Sequence, residues 1–206
     1  KLHFGLNKIK KKNFYKEKTV KRNTLLYKKF NIIIRQQVHT SHKPKLLKSI
    51  LLKEKKIFKL FCRDYLLQPI HGDLVIGNIL ISNKKKVYFL DFEDTPISFL
   101  SIDFDIYQIF ERLIFLRYHK NKNLLSKKSK LFFSSYGKQI KCKKFLNFIP
   151  SEILKFLSLR ALVTLSLVEE TGSLVEQKEW EKFFFLYKLI DEKMELVNSL
   201  AEEYIA

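Results

Sequence analysis

Glycine, proline and cysteine are all scarce in this chain of 206 residues, which holds five, four and two of them. So few glycines and prolines exclude collagen-like and low-complexity architectures. The glycines (Gly5, Gly72, Gly77, Gly137 and Gly172) are scattered and build no Gly-rich phosphate loop. Cys62 and Cys142 are isolated, so neither a disulfide framework nor a Cys-based metal site is expected. Two reduced thiols point to a cytoplasmic protein. No apolar run approaches the length of a membrane span, and no secretory signal is visible. Arginine is rare as well, with six among 40 basic residues.

Lysine and apolar side chains are abundant. With 46% hydrophobic residues, the composition is that of one globular domain or one large lobe. The formal net charge of +19 is unevenly placed. Residues 1–70 hold 20 Lys/Arg against 3 Asp/Glu, and residues 112–151 hold 11 against none. Such basicity suits a nucleic acid or an anionic surface. However, specific readers of nucleic acid favour arginine for its bidentate geometry. The excess of Lys, Phe, Ile and Asn is what an AT-rich coding sequence dictates, so nucleic acid is the less favoured partner.

Residues 1–23 are lysine-dense without a sustained apolar period and read as a basic linker or surface segment. Apolar spacing predicts helices over Thr24–Val38 and from Pro44 to Phe61, the second ending before Gln68-Pro69. Beyond residue 100, Asp103 or Asp105 is expected to start a helix, with Asp103 as its N-cap and Glu111-Arg112 making surface contacts. A basic loop with a short helix ending at Gly137 should occupy residues 117–144. A buried helix over Ile153–Val168 and an amphipathic one over Val175–Tyr204 should complete the chain. His39, His42 and Glu54 lack any recognised ligand spacing and are expected to be solvated.

The informative stretch is His71-Gly72-Asp73-Leu74-Val75-Ile76-Gly77-Asn78, followed by Ile79-Leu80-Ile81, a lysine turn and Val87-Tyr88-Phe89-Leu90-Asp91-Phe92-Glu93. Two β-branched or aromatic runs around the polar turn 82–86 predict a hairpin. Such a hairpin carries Asp73, Asn78 and Asp91 to one edge of a sheet. Asp and Asn also serve as ordinary turn residues. Phosphoryl transfer needs a carboxylate to orient the attacking hydroxyl, and oxygen ligands to hold magnesium on the phosphates.

His71-Gly72-Asp73 with Asn78, then Asp91-Phe92-Glu93, resembles the aminoglycoside phosphotransferase and choline kinase superfamily. The resemblance covers residues 24–206. It implies an α+β fold, the mostly helical C-terminal lobe of a protein-kinase-like enzyme with a short catalytic β-hairpin. By the same resemblance Asp73 is the catalytic base in a catalytic loop spanning residues 71–78. Asn78 and Asp91 are magnesium ligands and contact the ATP phosphates, with residues 91–93 as the metal motif. His71, Gly72 and Asp105 support the loop, and Glu93 is a further candidate. Glu93 stands where protein kinases carry Gly, which favours a small-molecule kinase.

The implied activity is transfer of the γ-phosphate of ATP, with Mg2+, to a hydroxyl of an amino sugar, an amino alcohol or an envelope sugar. A second resemblance, to the small atypical kinase of tRNA threonylcarbamoyl modification, rests on His71-Gly72-Asp73-Leu74, Asp105-Ile106-Tyr107 and Glu111-Arg112. Glu93 departs from that kinase's D-F-G. A third reading is a truncated, non-catalytic binding module. The Gly-rich loop and phosphate-gripping Lys of such kinases have no counterpart, so the N-terminal lobe is expected to be missing or reduced, with residues 1–23 as linker or remnant. The first residue is Lys rather than Met, and a natural start further upstream is the expectation.

Overall fold

The computed structural model describes residues 2–35, 42–63 and 67–205. The chain is mostly helical with two small antiparallel sheets, an α+β arrangement. Helices α1 (Leu2–Leu6), α2 (Lys12–Arg35), α3 (Pro44–Lys53) and α4 (Lys55–Arg63) precede β1 (Gln68–Pro69). Strands β2 (Ile79–Ile81) and β3 (Val87–Phe89) follow, then β4 (Phe99–Leu100). The second half holds α5 (Asp103–Phe110), a π-helical turn over Glu111–Phe115, α6 (Leu116–Tyr118) and α7 (Lys122–Ile140). Helices α8 (Pro150–Glu170), α9 (Gln177–Glu192) and α10 (Met194–Ser199) close the chain.

The core is aromatic. Phe30 of α2 stacks on Phe58 of α4 at 4.4 Å between ring centroids. Phe61 of α4, Phe104 of α5 and Phe156 of α8 meet within 5.8 Å of one another. All five rings are buried, so one cluster joins four helices. Each contributes about 2–3 kcal/mol of hydrophobic stabilisation. Helix α8 is the axis of this half: Ile153, Leu154, Phe156, Leu159, Leu162 and Val163 are all buried, against α9, α5, α4 and α2.

Several expected boundaries move. Helix α2 begins at Lys12, so residues 12–23 are helical and pack, rather than forming a linker. The reason is polar: Thr19 and Asn23 are buried, and Thr19 Oγ1 accepts the Phe99 amide at 2.8 Å. An apolar period cannot register such contacts. The part of the first expected helix beyond Arg35, including Val38, lies outside the described residues, as does His39. The helix expected from Pro44 to Phe61 is interrupted at Glu54. Glu54 is not solvated; it is buried and accepts from Lys155 Nζ at 3.2 Å and Tyr187 Oη at 2.8 Å. Residues 122–140 form one 19-residue helix, with Gly137 inside it rather than as its cap. The cap is Lys141 in the left-handed region, and a Cβ on residue 137 would come 2.9 Å from the Cys142 carbonyl oxygen. The last expected helix is broken after Glu192.

Candidate active site

Strand β1 pairs antiparallel with β4, Gln68 opposite Leu100 and Pro69 opposite Phe99. The Ile70 amide adds a bond to the Ser98 carbonyl at 2.9 Å. This two-stranded clamp fixes both ends of the segment 71–98. Within it β2 and β3 form the expected hairpin, in the register Ile79–Phe89, Leu80–Tyr88 and Ile81–Val87. Its turn is closed by Ser82 N to Lys86 O at 2.9 Å, with Lys85 in the left-handed region.

The ladder continues one step beyond the strands, because the Leu90 amide donates to the Asn78 carbonyl at 2.9 Å. Asp91 therefore follows directly on the residue paired with Asn78. It is exposed, with φ 57°. Asp tolerates this left-handed conformation better than most residues, and such φ values recur at functional sites. His71 fixes the neighbours on either side of it. Its Nε2 donates to the Leu90 carbonyl at 2.8 Å, and its ring lies 4.6 Å from that of Phe92. Nε2 must carry the proton, since a carbonyl only accepts.

Asp105 holds the start of the loop. Its Oδ2 accepts the His71 amide at 2.8 Å and its Oδ1 the Gly72 amide at 2.9 Å, in a fully buried setting. It also meets His3 Nε2 at 3.0 Å, and His3 Nδ1 lies 2.7 Å from the Tyr136 hydroxyl. Gly72 has φ 88°, and a Cβ there would clash with Ser98 Oγ, so the side chain just before β4 presses against the loop. Asp103 is not the N-cap of α5. It lies inside the first turn, buried, where its Oδ2 accepts the amides of Asn147 and Phe148 at 2.7 and 3.0 Å. Burial raises the pKa of Asp103, and these amides work against that rise.

The Asp73 carboxylate is held from two sides. Asn78 Nδ2 donates to its Oδ2 at 3.2 Å and to its main-chain carbonyl at 2.9 Å. Gln108 Nε2 donates to its Oδ1 at 3.2 Å, while Gln108 Oε1 accepts the Leu74 amide at 3.1 Å. Gln108 was not singled out from the sequence. Its signal was available: it lies one helical turn after Asp105 on α5, and so on the same face. With Nδ2 engaged on Asp73, the Asn78 carbonyl oxygen Oδ1 is the group left for a ligand. Asn78 Oδ1 and the Asp91 carboxylate are hard oxygen donors, the ligand type that Mg2+ prefers. Among the described residues no cluster of three or more His, Cys, Asp or Glu could hold a metal.

A cavity of about 800 Å3 opens beside Asp73. Val75, Ile76 and Gly77 of the loop line it, together with Arg22 of α2, Asp94 and Ile97, Gln108 of α5 and Arg160 and Thr164 of α8. Neither Asn78 nor Asp91 lines it. Glu111 and Arg112 also face it, from the π-helical turn. They are not surface residues in the sense expected: Glu111 is buried, with its Oε1 3.1 Å from Arg112 Nε. Burial pushes the Glu111 carboxyl up to about 7, against the pull of Arg112 and Lys182. Single π turns of this kind inside helices are frequent at functional sites. Glu93 is exposed and has no part in the cavity. Comparison with family models, with curated proteins and with solved structures gives no match to this chain.

Proposed function

We propose that this chain is the helical lobe of a protein-kinase-like phosphotransferase that uses ATP and Mg2+ to phosphorylate a hydroxyl of a small molecule. The observation that carries this reading is the setting of Asp73. One carboxylate is fixed by Asn78 and Gln108 at the mouth of a cavity large enough for a sugar-sized acceptor, with the Asn78–Asp91 pair beside it. In this reading the acceptor enters the cavity and its hydroxyl donates to Asp73, which orients it and takes its proton as the hydroxyl oxygen bonds to the γ-phosphorus and the bond from that phosphorus to the departing ADP breaks. Asn78 and Asp91 would hold Mg2+, whose charge would offset the negative charge at the transferring group. Asp105 and His71 keep the loop and the Asp91 segment in register. The apolar, exposed side chains of the hairpin, Leu80 and Tyr88 among them, offer a surface on which a nucleotide base could rest.

The test is calorimetry of nucleotide binding with and without magnesium, on this chain and on its Asp91→Ala variant. Binding that needs both magnesium and Asp91 is the expected result. Binding that is indifferent to both would overturn the assignment of the metal pair.

A further inference from the structure

Arginine is used sparingly in this chain, yet three of its six arginines, Arg22, Arg112 and Arg160, line the cavity beside Asp73. Lysine carries most of the chain's positive charge, so three arginines at one cavity wall call for a reason. Its planar fork matches carboxylate and phosphate geometry in a way an ammonium does not.

Two of these guanidiniums lack the partners that a structural role would supply. Among the described residues, buried Arg22 Nε and Nη2 have no hydrogen-bond partner, and the side chain's only bond is a long one, Nη1 to Ser98 Oγ at 3.5 Å. Arg160 makes no side-chain hydrogen bond among the described residues, and neither arginine is ion-paired among them. Burial and then the charge of Arg160 lower the Arg22 pKa to about 9, while Asp94 opposes this. Burial likewise lowers Arg160, countered first by Asp94 and then by Asp73. Both guanidiniums line the same cavity as Asp94, which forms an ion pair with neither among the described residues. Buried guanidinium nitrogens without a partner, as at Arg22, are destabilising unless something neutralises them.

We propose that Arg22 and Arg160 form the seat of an oxyanion, a phosphate or carboxylate carried by the acceptor whose hydroxyl meets Asp73. The acceptor is then an acidic hydroxyl compound rather than a cationic amino sugar or amino alcohol. This identity rests on the phosphotransferase reading; the anion seat itself does not. The arginines share the cavity with Asp73 and not with Asn78 or Asp91, which separates them from the proposed nucleotide phosphates. Arg112 is engaged with Glu111, and Lys182 stands at the same wall, so both add positive potential without being free forks.

The experiment is the rise in thermal midpoint of the full chain on adding inorganic phosphate or, separately, acetate. It uses wild type, Arg22→Gln, Arg160→Gln, Asp91→Ala and the surface control Lys178→Gln. A ligand that binds only the folded state raises the midpoint by linkage. We expect one of the two anions to raise it in wild type, Asp91→Ala and Lys178→Gln, and both arginine variants to need about ten- to a hundred-fold more anion for the same rise, the share of one charge-assisted partner. Which anion acts tells phosphate from carboxylate. An increment equal in all variants would mean binding to the general basic surface and would overturn the proposal, as would no increment at all. Loss of midpoint without anion in Arg22→Gln, with the increment intact, would make the arginine structural and overturn it too. Nucleotide binding is read separately: an anion seat without magnesium-dependent nucleotide binding retires the kinase reading alone, and the converse retires the seat alone.

Discussion

Gln108 and Asp73 are bound to each other in a way that serves the carboxylate rather than the helix. Gln108 Nε2 reaches Asp73 Oδ1 at 3.2 Å, and its Oε1 is pinned by the Leu74 amide at 3.1 Å. The amide cannot swing without breaking both bonds. If Asp73 addresses the acceptor, Gln108 is a positioning residue. Gln108→Ala should lower kcat about ten- to a hundred-fold with KM nearly unchanged, since a small misplacement weakens transition-state contacts before binding. Gln108→Glu keeps the acceptor for Leu74 but replaces the donor with a like charge next to Asp73. It should fare no better than alanine, and should shift the acidic limb of the kcat profile upward in pH. A Glu variant with the wild-type profile would rule out the contact as functional.

Gly72 is required by two independent constraints. Its φ of 88° lies where side chains are disfavoured, and Ser98 Oγ occupies the space a Cβ would need. Gly72→Ala should destabilise the fold by about 2–4 kcal/mol, strain and clash together. Adding Ser98→Gly removes the clash and leaves the backbone cost. The double variant should therefore recover part of the loss, about half, in urea unfolding. Full recovery would show that the backbone at Gly72 is unstrained.

What the sequence made legible was local. The hairpin could be read because its two apolar runs and polar turn are contiguous, and a hairpin places Asn78 beside the Asp91 segment by geometry alone. Asp105 could be paired with the loop only through the family resemblance, since nothing in residues 103–106 distinguishes a brace from a cap. Indeed Asp103, assigned as the cap, turned out to hold the amides of Asn147 and Phe148 instead. The arginine wall was not legible. Arg22 and Arg160 come from helices about 140 residues apart, each with unremarkable neighbours, and only packing of α2 against α8 brings them together. Buried Thr19 and Asn23 hid the first half of α2 for the same reason: a polar contact leaves no trace in an apolar period.

Glu111 gives the fold a pH dependence of definite sign. Its folded-state pKa, about 7, lies above the ordinary glutamate value of 4.5, chiefly through burial. The folded state therefore holds its proton more tightly than the unfolded chain. The stability it contributes is fully present below pH 4.5 and is lost as pH rises toward and through 7. Glu111→Gln removes this loss. The variant should be more stable than wild type at pH 8, and the difference should shrink on going to pH 5, measured by urea midpoints. A variant less stable at pH 8 would mean that the Arg112 ion pair outweighs burial.

Lys155 supports the opposite end of α8 through a buried ion network. Its Nζ meets Asp191 at 2.6 Å and Glu54 at 3.2 Å, and Tyr187 Oη also donates to Glu54 at 2.8 Å. Lys155 and Glu54 are nearly inaccessible, while Asp191 is partly exposed and has Lys53 as a second partner at 2.6 Å. The two carboxylates therefore depend on Lys155 to different degrees. Removing the cation with Lys155→Met leaves Glu54 buried and charged with only a phenol for company, at a cost of about 3–5 kcal/mol. Asp191 keeps Lys53 and solvent, and adds little to that cost. Combining Lys155→Met with Glu54→Gln leaves an amide that can still accept from Tyr187, so most of the lost stability should return. The double variant should lie within about 1.5 kcal/mol of wild type, because a buried pair replaced by neutral groups of like volume is often close to neutral. If the two losses simply add, the ammonium and the carboxylate act independently and the network does not exist as described.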